Sequence, residues 1–240
     1  MDITKMSQLK EDALLFGVKL DDTQLSQFYR YYEMLIDWNE KINLTAITDF
    51  DEVLKKHFLD SIAIGRLFSQ STDISILDIG TGAGFPGIPI KIAFPNTKIK
   101  LMDSLNKRVI FLSEVIGELN LENISALHGR AEDFAKKDLM REQFDLVVSR
   151  AVANLSSLSE FCLPYVKVNG KFISYKSEKA IEELETSQNA ISILGGGNVR
   201  TDEFLLPGTD FNRTFVIIEK IKETPAKYPR KAGTPVKQPL

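Results

Sequence analysis

A chain of 240 residues is long enough for one substantial apolar core with a small accessory region. Hydrophobic content of 43%, charged content of 26% and a net charge of −3 are ordinary for a globular protein and carry no global sign of polyanion binding. Cys162 is the only cysteine, which excludes a disulfide framework and a cysteine-based metal cluster. Without a leader pattern or an apolar run long enough to span a bilayer, the expectation is a cytoplasmic protein with no membrane and no metal partner.

The first 68 residues read as helical. Asp21, Asp22 or Thr23 can cap a helix in which Leu25, Phe28, Tyr32, Leu35, Ile36 and Asn39 recur at steps of three and four. Tyr29, Tyr31, Tyr32 and Trp38 widen its apolar surface, which is expected to pack on the main domain. A second helix is predicted from about Phe50 to Phe68. From Ile74 onward strands alternate with helices. Strands are predicted at Ile74–Asp78, Ile99–Asp103, Ile124–His128, Phe144–Ser149 and Lys171–Tyr175. Helices are predicted near Gly87–Phe94, Lys107–Leu119, Leu155–Val166 and Lys179–Leu194. This alternation indicates a parallel sheet covered on both faces. Two further strands, Val199–Leu206 and Arg213–Lys220, flank a turn at Pro207-Gly208 and imply antiparallel pairing at one end. The tail Thr224–Leu240, with four prolines, is expected to lack regular structure. The expected plan is α/β: an N-terminal helical region (1–68), a seven-stranded, mostly parallel Rossmann-like domain of the class I S-adenosylmethionine-dependent methyltransferase layout (69–223), and a basic tail (224–240).

The chemistry concentrates after the strands, where open α/β sheets bind ligands. Asp78-Ile79-Gly80-Thr81-Gly82-Ala83-Gly84-Phe85-Pro86-Gly87 follows the first strand and leads into a helix, a backbone-lined crevice for a nucleotide-like ligand. Asp103 ends the second strand, about twenty residues on, where a carboxylate can accept both hydroxyls of a ribose. A ribose occurs in NAD and in S-adenosylmethionine alike. Asp78 favours the second, because an acid opening the loop disfavours a pyrophosphate and suits a cofactor α-amino group. Asp78 can equally organise the loop backbone, and Asp103 can cap the next helix. Ala131-Glu132 follows the third strand and Ser149-Arg150-Ala151 the fourth.

Several segments together resemble the RsmG family, also called GidB, of small-subunit ribosomal RNA guanine-N7 methyltransferases. They are Trp38-Asn39, Ile42-Asn43-Leu44-Thr45-Ala46-Ile47, His57-Phe58-Leu59-Asp60-Ser61, the glycine loop through Phe85-Pro86-Gly87, Asp103-Ser104 to Lys107-Arg108, Gly129-Arg130-Ala131-Glu132, Ser149-Arg150-Ala151-Val152-Ala153 and Tyr228-Pro229-Arg230-Lys231. One departure is Ser177, where the family usually carries glycine. The resemblance implies an enzyme that transfers a methyl group from S-adenosylmethionine to N7 of a guanine in 16S ribosomal RNA of the small subunit. It implies a cofactor site at Gly80, Phe85, Ala131, Glu132 and Arg150, with Asp103 as the ribose partner; Asp78 and Gly82 belong to the same loop. Arg150 is the candidate catalytic residue in a positioning sense.

Guanine N7 carries a lone pair and needs no general base, whereas an exocyclic amine must lose a proton. The fourth strand ends in Ser149-Arg150-Ala151-Val152 rather than the Asn/Asp-Pro-Pro-aromatic run common in amine methyltransferases. Structural roles are expected for His57 and His128, and Cys162 is expected to be a buried apolar residue. The last 21 residues, from Lys220, carry six Lys/Arg against one acid, whereas residues 1–75 carry eight basic and thirteen acidic residues. Charge alone leaves the tail undecided between solvated surface and polyanion contact; with the resemblance, RNA contact is expected from Arg150, Lys176, Arg213, Lys227, Arg230, Lys231 and Lys237. The expected oligomeric state is a monomer. Open alternatives are a class I methyltransferase acting on another RNA, a protein or a small molecule; a non-catalytic ribosome-assembly factor that binds the cofactor; and an NAD-dependent oxidoreductase.

Overall fold

The computed structural model describes residues 3–136, 139–150, 153–177 and 180–240. Helix α1 (Ile3–Leu14) precedes α2 (Asp22–Ile42), which opens with a reciprocal capping box between Asp21 and Gln24. The buried stripe of α2 is Leu25, Phe28, Tyr31, Met34 and Leu35. Tyr31, rather than the expected Tyr32, is therefore the core tyrosine; it bonds the carbonyl of Ala83 in the glycine loop. Tyr32 lies at the edge with its hydroxyl on Thr48 O at 3.2 Å. Asn39 does not join the apolar stripe either. Its Oδ1 accepts from the amides of Leu44 (2.6 Å) and Thr45 (2.8 Å) and so fixes the turn after α2.

The predicted second helix is segmented: α3 (Phe50–Val53), a π-helical turn (Leu54–Leu59), α4 (Asp60–Ile62) and a 3₁₀ turn (Ala63–Arg66). Widening a helix to π geometry rotates the side chains beyond it, and such turns are frequent at functional sites. Here the turn carries Lys56 and His57, and Asp60 follows directly.

The sheet comprises β1 (Ser75–Ile79), β2 (Lys98–Asp103), β3 (Ile124–His128), β4 (Phe144–Ser149), β5 (Val166–Lys176), β6 (Gly196–Leu205) and β7 (Asn212–Lys220) in the order β3-β2-β1-β4-β5-β7-β6. The first five strands are parallel, and β7 runs antiparallel between β5 and β6. Strand β5 starts at Val166, five residues before the predicted Lys171, and β6 starts inside the glycine run at Gly196. A Cβ at Gly196 would lie 2.8 Å from Ile191 and Ile218, so the run packs against helix and sheet and is not a linker. The helices between strands are α5 (Gly87–Ala93), α6 (Asn106–Glu118), the short α7 (Ala131–Phe134), α8 (Leu155–Cys162) with a 3₁₀ turn (Leu163–Tyr165), and α9 (Ala180–Ile193). The predicted start of the last helix at Lys179 lies outside the described residues.

Alternation along the strands divides the interior into two layers. Ile76, Leu101, Leu146 and Val148 face a core shared with the N-terminal helices, α5 and α6, including Phe28, Tyr31, Phe58, Ile88 and Phe111. Leu77, Met102 and Val147 face α8, α9 and Tyr228. The strand order turns back between β1 and β4, and the carboxyl ends of those strands carry the site.

The tail lacks regular structure as expected, apart from one short helix, but it is fixed to the body. Arg141 donates to the carbonyls of Tyr228 (2.8 Å) and Thr224 (2.5 Å). Arg230 forms a bidentate pair with buried Glu160, and α10 (Thr234–Lys237) follows. Ser157 Oγ donates to Pro235 O at 2.8 Å. Prolines remove donors but leave carbonyls to accept, so a proline-rich segment can still be stapled by donors from the body.

Candidate active site

The glycine loop turns sharply because Gly80, Gly82 and Gly84 take φ of 71°, 61° and 100°. At Gly84 the requirement is doubled: a Cβ would also lie 2.6 Å from Tyr31 and Ile88. Gly80 and Thr81 donate their amides to Met102 O of the neighbouring strand, which ties the loop to β2. The Phe85–Pro86 peptide is cis.

A cavity of about 670 Å³ opens at these strand ends. Its lining includes Met102, Ala131, Leu158 and Phe161 with the carboxylates of Asp103 and Glu132, the loop glycines Gly80 and Gly82, and Leu44, Thr45, His57, Phe85 and Arg150. Apolar walls for a planar base beside a carboxylate for a diol suit a nucleoside. Asp103 is 3% exposed and already accepts from Gly82 N (2.9 Å), Leu105 N (2.9 Å) and, weakly, Arg108 Nη1 (3.3 Å). A carboxylate offers about four acceptor positions, so it keeps one for a hydroxyl, and the long Arg108 bond is readily exchanged for a second. Ala131 O is taken by Tyr165 Oη at 2.5 Å, and Glu132 Oε1 by Gly233 N at 3.1 Å. Gly233 also lines the cavity, so the tail contributes to its wall beside Glu132.

Asp78 does not line the cavity. It lies one step from Leu77 on the opposite face of β1, directed under the loop, and it is fully buried. Its Oδ2 accepts from Thr81 Oγ1 (2.6 Å) and Gly87 N (2.9 Å), while Oδ1 has no partner. Burial pushes its pKa up to about 7, against the pull of those two donors. The expected contact with a cofactor α-amino group is therefore replaced by the loop-organising role.

Arg150 lines the cavity, but its guanidinium is held by the protein. Nη1 donates to Lys56 O and to Asp60 Oδ2, both at 2.9 Å, and Nη2 to His57 Nδ1 at 3.1 Å. Its Cζ lies 5.0 Å from the Phe85 ring centroid, and His57 stacks on the same ring at 4.4 Å and 23°. The neighbouring Ala151 and Val152 lie outside the described residues. Burial, then the positive charge of Arg150, lowers the His57 pKa to about 3, so the imidazole is neutral.

A second recess of about 470 Å³ shares His57 and Arg150 as a party wall and is lined by Lys56, Tyr175, Lys176, Ser177, Phe211 and Arg213. Besides Arg150, two of the expected RNA contacts sit here, both engaged internally. Lys176 Nζ bonds Glu183 (2.7 Å) and Ala153 O (2.8 Å), and Arg213 Nη2 bonds Asp60 (2.8 Å). Arg230 is likewise engaged internally, its guanidinium paired with Glu160, which is 1% exposed. Lys227, Lys231 and Lys237 are exposed on the tail. His128 is exposed and outside the cavity wall, with Nε2 at 3.1 Å from Ser104 O. Cys162 is buried, and burial raises its thiol pKa well above normal. Among the described residues no group of three His, Cys, Asp or Glu could hold a metal ion, and no helix is long and apolar enough to cross a membrane.

Residues 24–209 match the family described as GidB, rRNA small subunit methyltransferase G. The chain belongs to the GidB family. A relative from Lachnoclostridium phytofermentans, named Ribosomal RNA small subunit methyltransferase G, is 56% identical over 224 residues, 93% of each chain. Among solved structures, a methyltransferase from Pyrococcus furiosus superposes with a TM-score of 0.55 at 15% identity, over 82% of this chain and 99% of that one. The structure of M. jannaschii TYW2 in complex with AdoMet gives 0.54 at 14% identity, over 73% and 80%. These likenesses establish the class I methyltransferase fold.

Within this GidB chain, sequence reasoning missed as site residues the wall residues Thr45, His57, Arg108 and Gly233, and Asp60 behind the wall. The signal was available, since all but Gly233 lie in segments that carry the family resemblance. Periodicity could not find them, because they come from a turn (Thr45), the segmented helix (His57 and Asp60), the first turn of α6 (Arg108) and the tail (Gly233).

Proposed function

We propose that this protein transfers a methyl group from S-adenosylmethionine to N7 of a guanine in 16S ribosomal RNA of the small subunit. Family membership supports the reaction class, and the cavity supports the cofactor. In this reading Asp103 takes the ribose, Ala131 and Glu132 frame the adenine, Gly80 and Gly82 face the methionine portion, and Phe85 packs beside it. Asp78 shapes the loop from beneath. Bound S-adenosylmethionine supplies an electrophilic sulfonium methyl, and the protein's contribution is to align an incoming nitrogen with it.

The observation that carries N7, rather than an amine, is the state of the wall facing the substrate. His57 is the imidazole there, and its Nδ1 already accepts from Arg150 while its Nε2 lies 2.8 Å from Thr45 Oγ1. It is not placed to take a proton from a substrate, and N7 has none to lose. Arg150 positions the wall through Asp60, His57 and Phe85. The exposed Lys227, Lys231 and Lys237 supply phosphate contacts. Residues 1–68 and the tail 224–240 serve as accessory regions to the methyltransferase unit 69–223. One chain furnishes every cavity residue named above, which supports action as a monomer, and a ribosomal substrate supports a cytoplasmic location.

The test supplies labelled S-adenosylmethionine and small subunits from a strain lacking this methyltransferase, then maps the label by N7-methylguanine-specific strand cleavage. Label at one guanine N7 is expected; label on ribosomal protein, or none on RNA, overturns the reading.

A further inference from the structure

Thr45 Oγ1 lies 2.8 Å from His57 Nε2, and the contacts around the imidazole decide which of the two donates. The turn is rigid: Asn43 takes left-handed φ of 48°, and Asn39 Oδ1 holds the amides of Leu44 and Thr45. Two neighbours compete for His57 Nδ1: Lys56 O at 3.2 Å, which could only accept, and Arg150 Nη2 at 3.1 Å, which can only donate; a protonated Nδ1 would set N–H against the cationic N–H of Arg150, so Nδ1 is assigned as the acceptor. A neutral imidazole then carries its proton on Nε2, which donates to Thr45 Oγ1 at 2.8 Å. The amide of Ile47 donates to the same oxygen at 3.0 Å. Both lone pairs of Thr45 Oγ1 are filled, and its own O–H is left to donate into the cavity that Thr45 lines.

We propose that the Thr45 hydroxyl donates a hydrogen bond to the 6-oxygen of the target guanine, with His57 as the positioning residue that sets its direction. This rests on the guanine-N7 reading above. Thr45 is bonded to His57, which with Arg150 forms the wall shared with the second recess. In the reading above, that wall faces the incoming base. A purine offers N7 and O6 on one edge, so a donor aimed at O6 registers N7 against the methyl. A neutral donor also suits the reaction. Methylated N7 makes the base cationic, and a hydroxyl orients it without adding the repulsion an imidazolium would impose.

The test compares wild type, Thr45→Val and Thr45→Ser on small subunits lacking the modification, and on subunits reconstituted with 2-aminopurine, which lacks O6, at the modified position. Losing one hydrogen bond between neutral groups predicts about a tenfold fall in kcat/KM for Thr45→Val on guanine. Thr45→Ser recovers most of it, and the dissociation constant for S-adenosylmethionine stays within about twofold. On 2-aminopurine, Thr45→Val and wild type react equally. An undiminished Thr45→Val rate on guanine, an equal loss on both bases, or a loss of cofactor affinity overturns the proposal. Nitrogen-15 NMR of the two histidines gives a second readout that needs no turnover: His57 protonated at Nε2 supports the relay, and protonation at Nδ1 overturns it. Wild type that leaves guanine unmethylated removes the N7 reading itself, and the O6 contact with it.

Discussion

Asp60 and Arg150 meet at 2.9 Å with the carboxylate 1% exposed, and the same oxygen holds Arg213 at 2.8 Å. One buried acid thus organises two guanidiniums behind the cavity wall. Asp60→Ala leaves both cations without their acceptor. Removing one partner of a buried ion pair costs about 3–5 kcal/mol. Urea denaturation is expected to show a loss of that size, and methyl transfer is expected to fall more than cofactor affinity, because the Arg150–His57 wall faces the substrate. A loss under 1 kcal/mol refutes this account of Asp60.

Arg230 and the exposed tail lysines should separate cleanly. Arg230→Ala strands Glu160 in the interior and is expected to destabilise the fold by about 3 kcal/mol. The triple variant Lys227→Ala/Lys231→Ala/Lys237→Ala should fold as wild type but bind small subunits more weakly. Each phosphate contact contributes about 0.7–0.9 to the slope of log affinity against log salt, so the slope should flatten by roughly 2 to 3. An unchanged slope removes these lysines from RNA binding.

Gly82 and Gly84 differ in what surrounds them, though both have positive φ. A Cβ on Gly82 meets nothing within 4 Å, whereas on Gly84 it collides with Tyr31 and Ile88. Gly82→Ala therefore costs only the left-handed backbone penalty, about 1–2 kcal/mol, yet places a methyl group beside the cofactor. Calorimetry should find S-adenosylmethionine affinity reduced at least tenfold in a folded protein. Gly84→Ala should instead lower the melting temperature far more than Gly82→Ala.

Asp78 and His57 act on stability in opposite senses as pH changes. Asp78 is raised from 3.8 to about 7, so between those values the native state holds a proton that the unfolded state has lost, and stability falls as pH rises. His57 is lowered from 6.5 to about 3, so across that range the unfolded state holds the extra proton and stability rises with pH. The two slopes oppose each other from about pH 4 to 6.5. Asp78→Asn removes the first alone. Its stability relative to wild type should therefore climb between pH 4 and 7, by up to about 4 kcal/mol at 1.36 kcal/mol per pH unit. Parallel pH profiles for the two proteins would show that Asp78 does not change its protonation in this range.

The parallel strands and the helices between them were legible because burial on both faces writes short apolar runs, and glycine spacing marks the turn after the first of them. That Gly80, Gly82, Asp103, Ala131 and Glu132 line one cavity was legible for the same reason: they sit at or just after strand ends, and strand ends are readable. Sequence alone determined this much, together with the family. Tertiary structure decided the rest. The direction of Asp78 depends on which face of β1 it occupies. The engagement of Lys176, Arg213 and Arg230 depends on Glu183, Asp60 and Glu160, which lie 7 to 153 positions away in sequence. A charge on a chain does not disclose its partner. The loop at residues 78–87 names a nucleoside cavity, but the wall that faces the substrate is built by Thr45, His57 and Arg150 from three separate segments, which only the folded chain brings together.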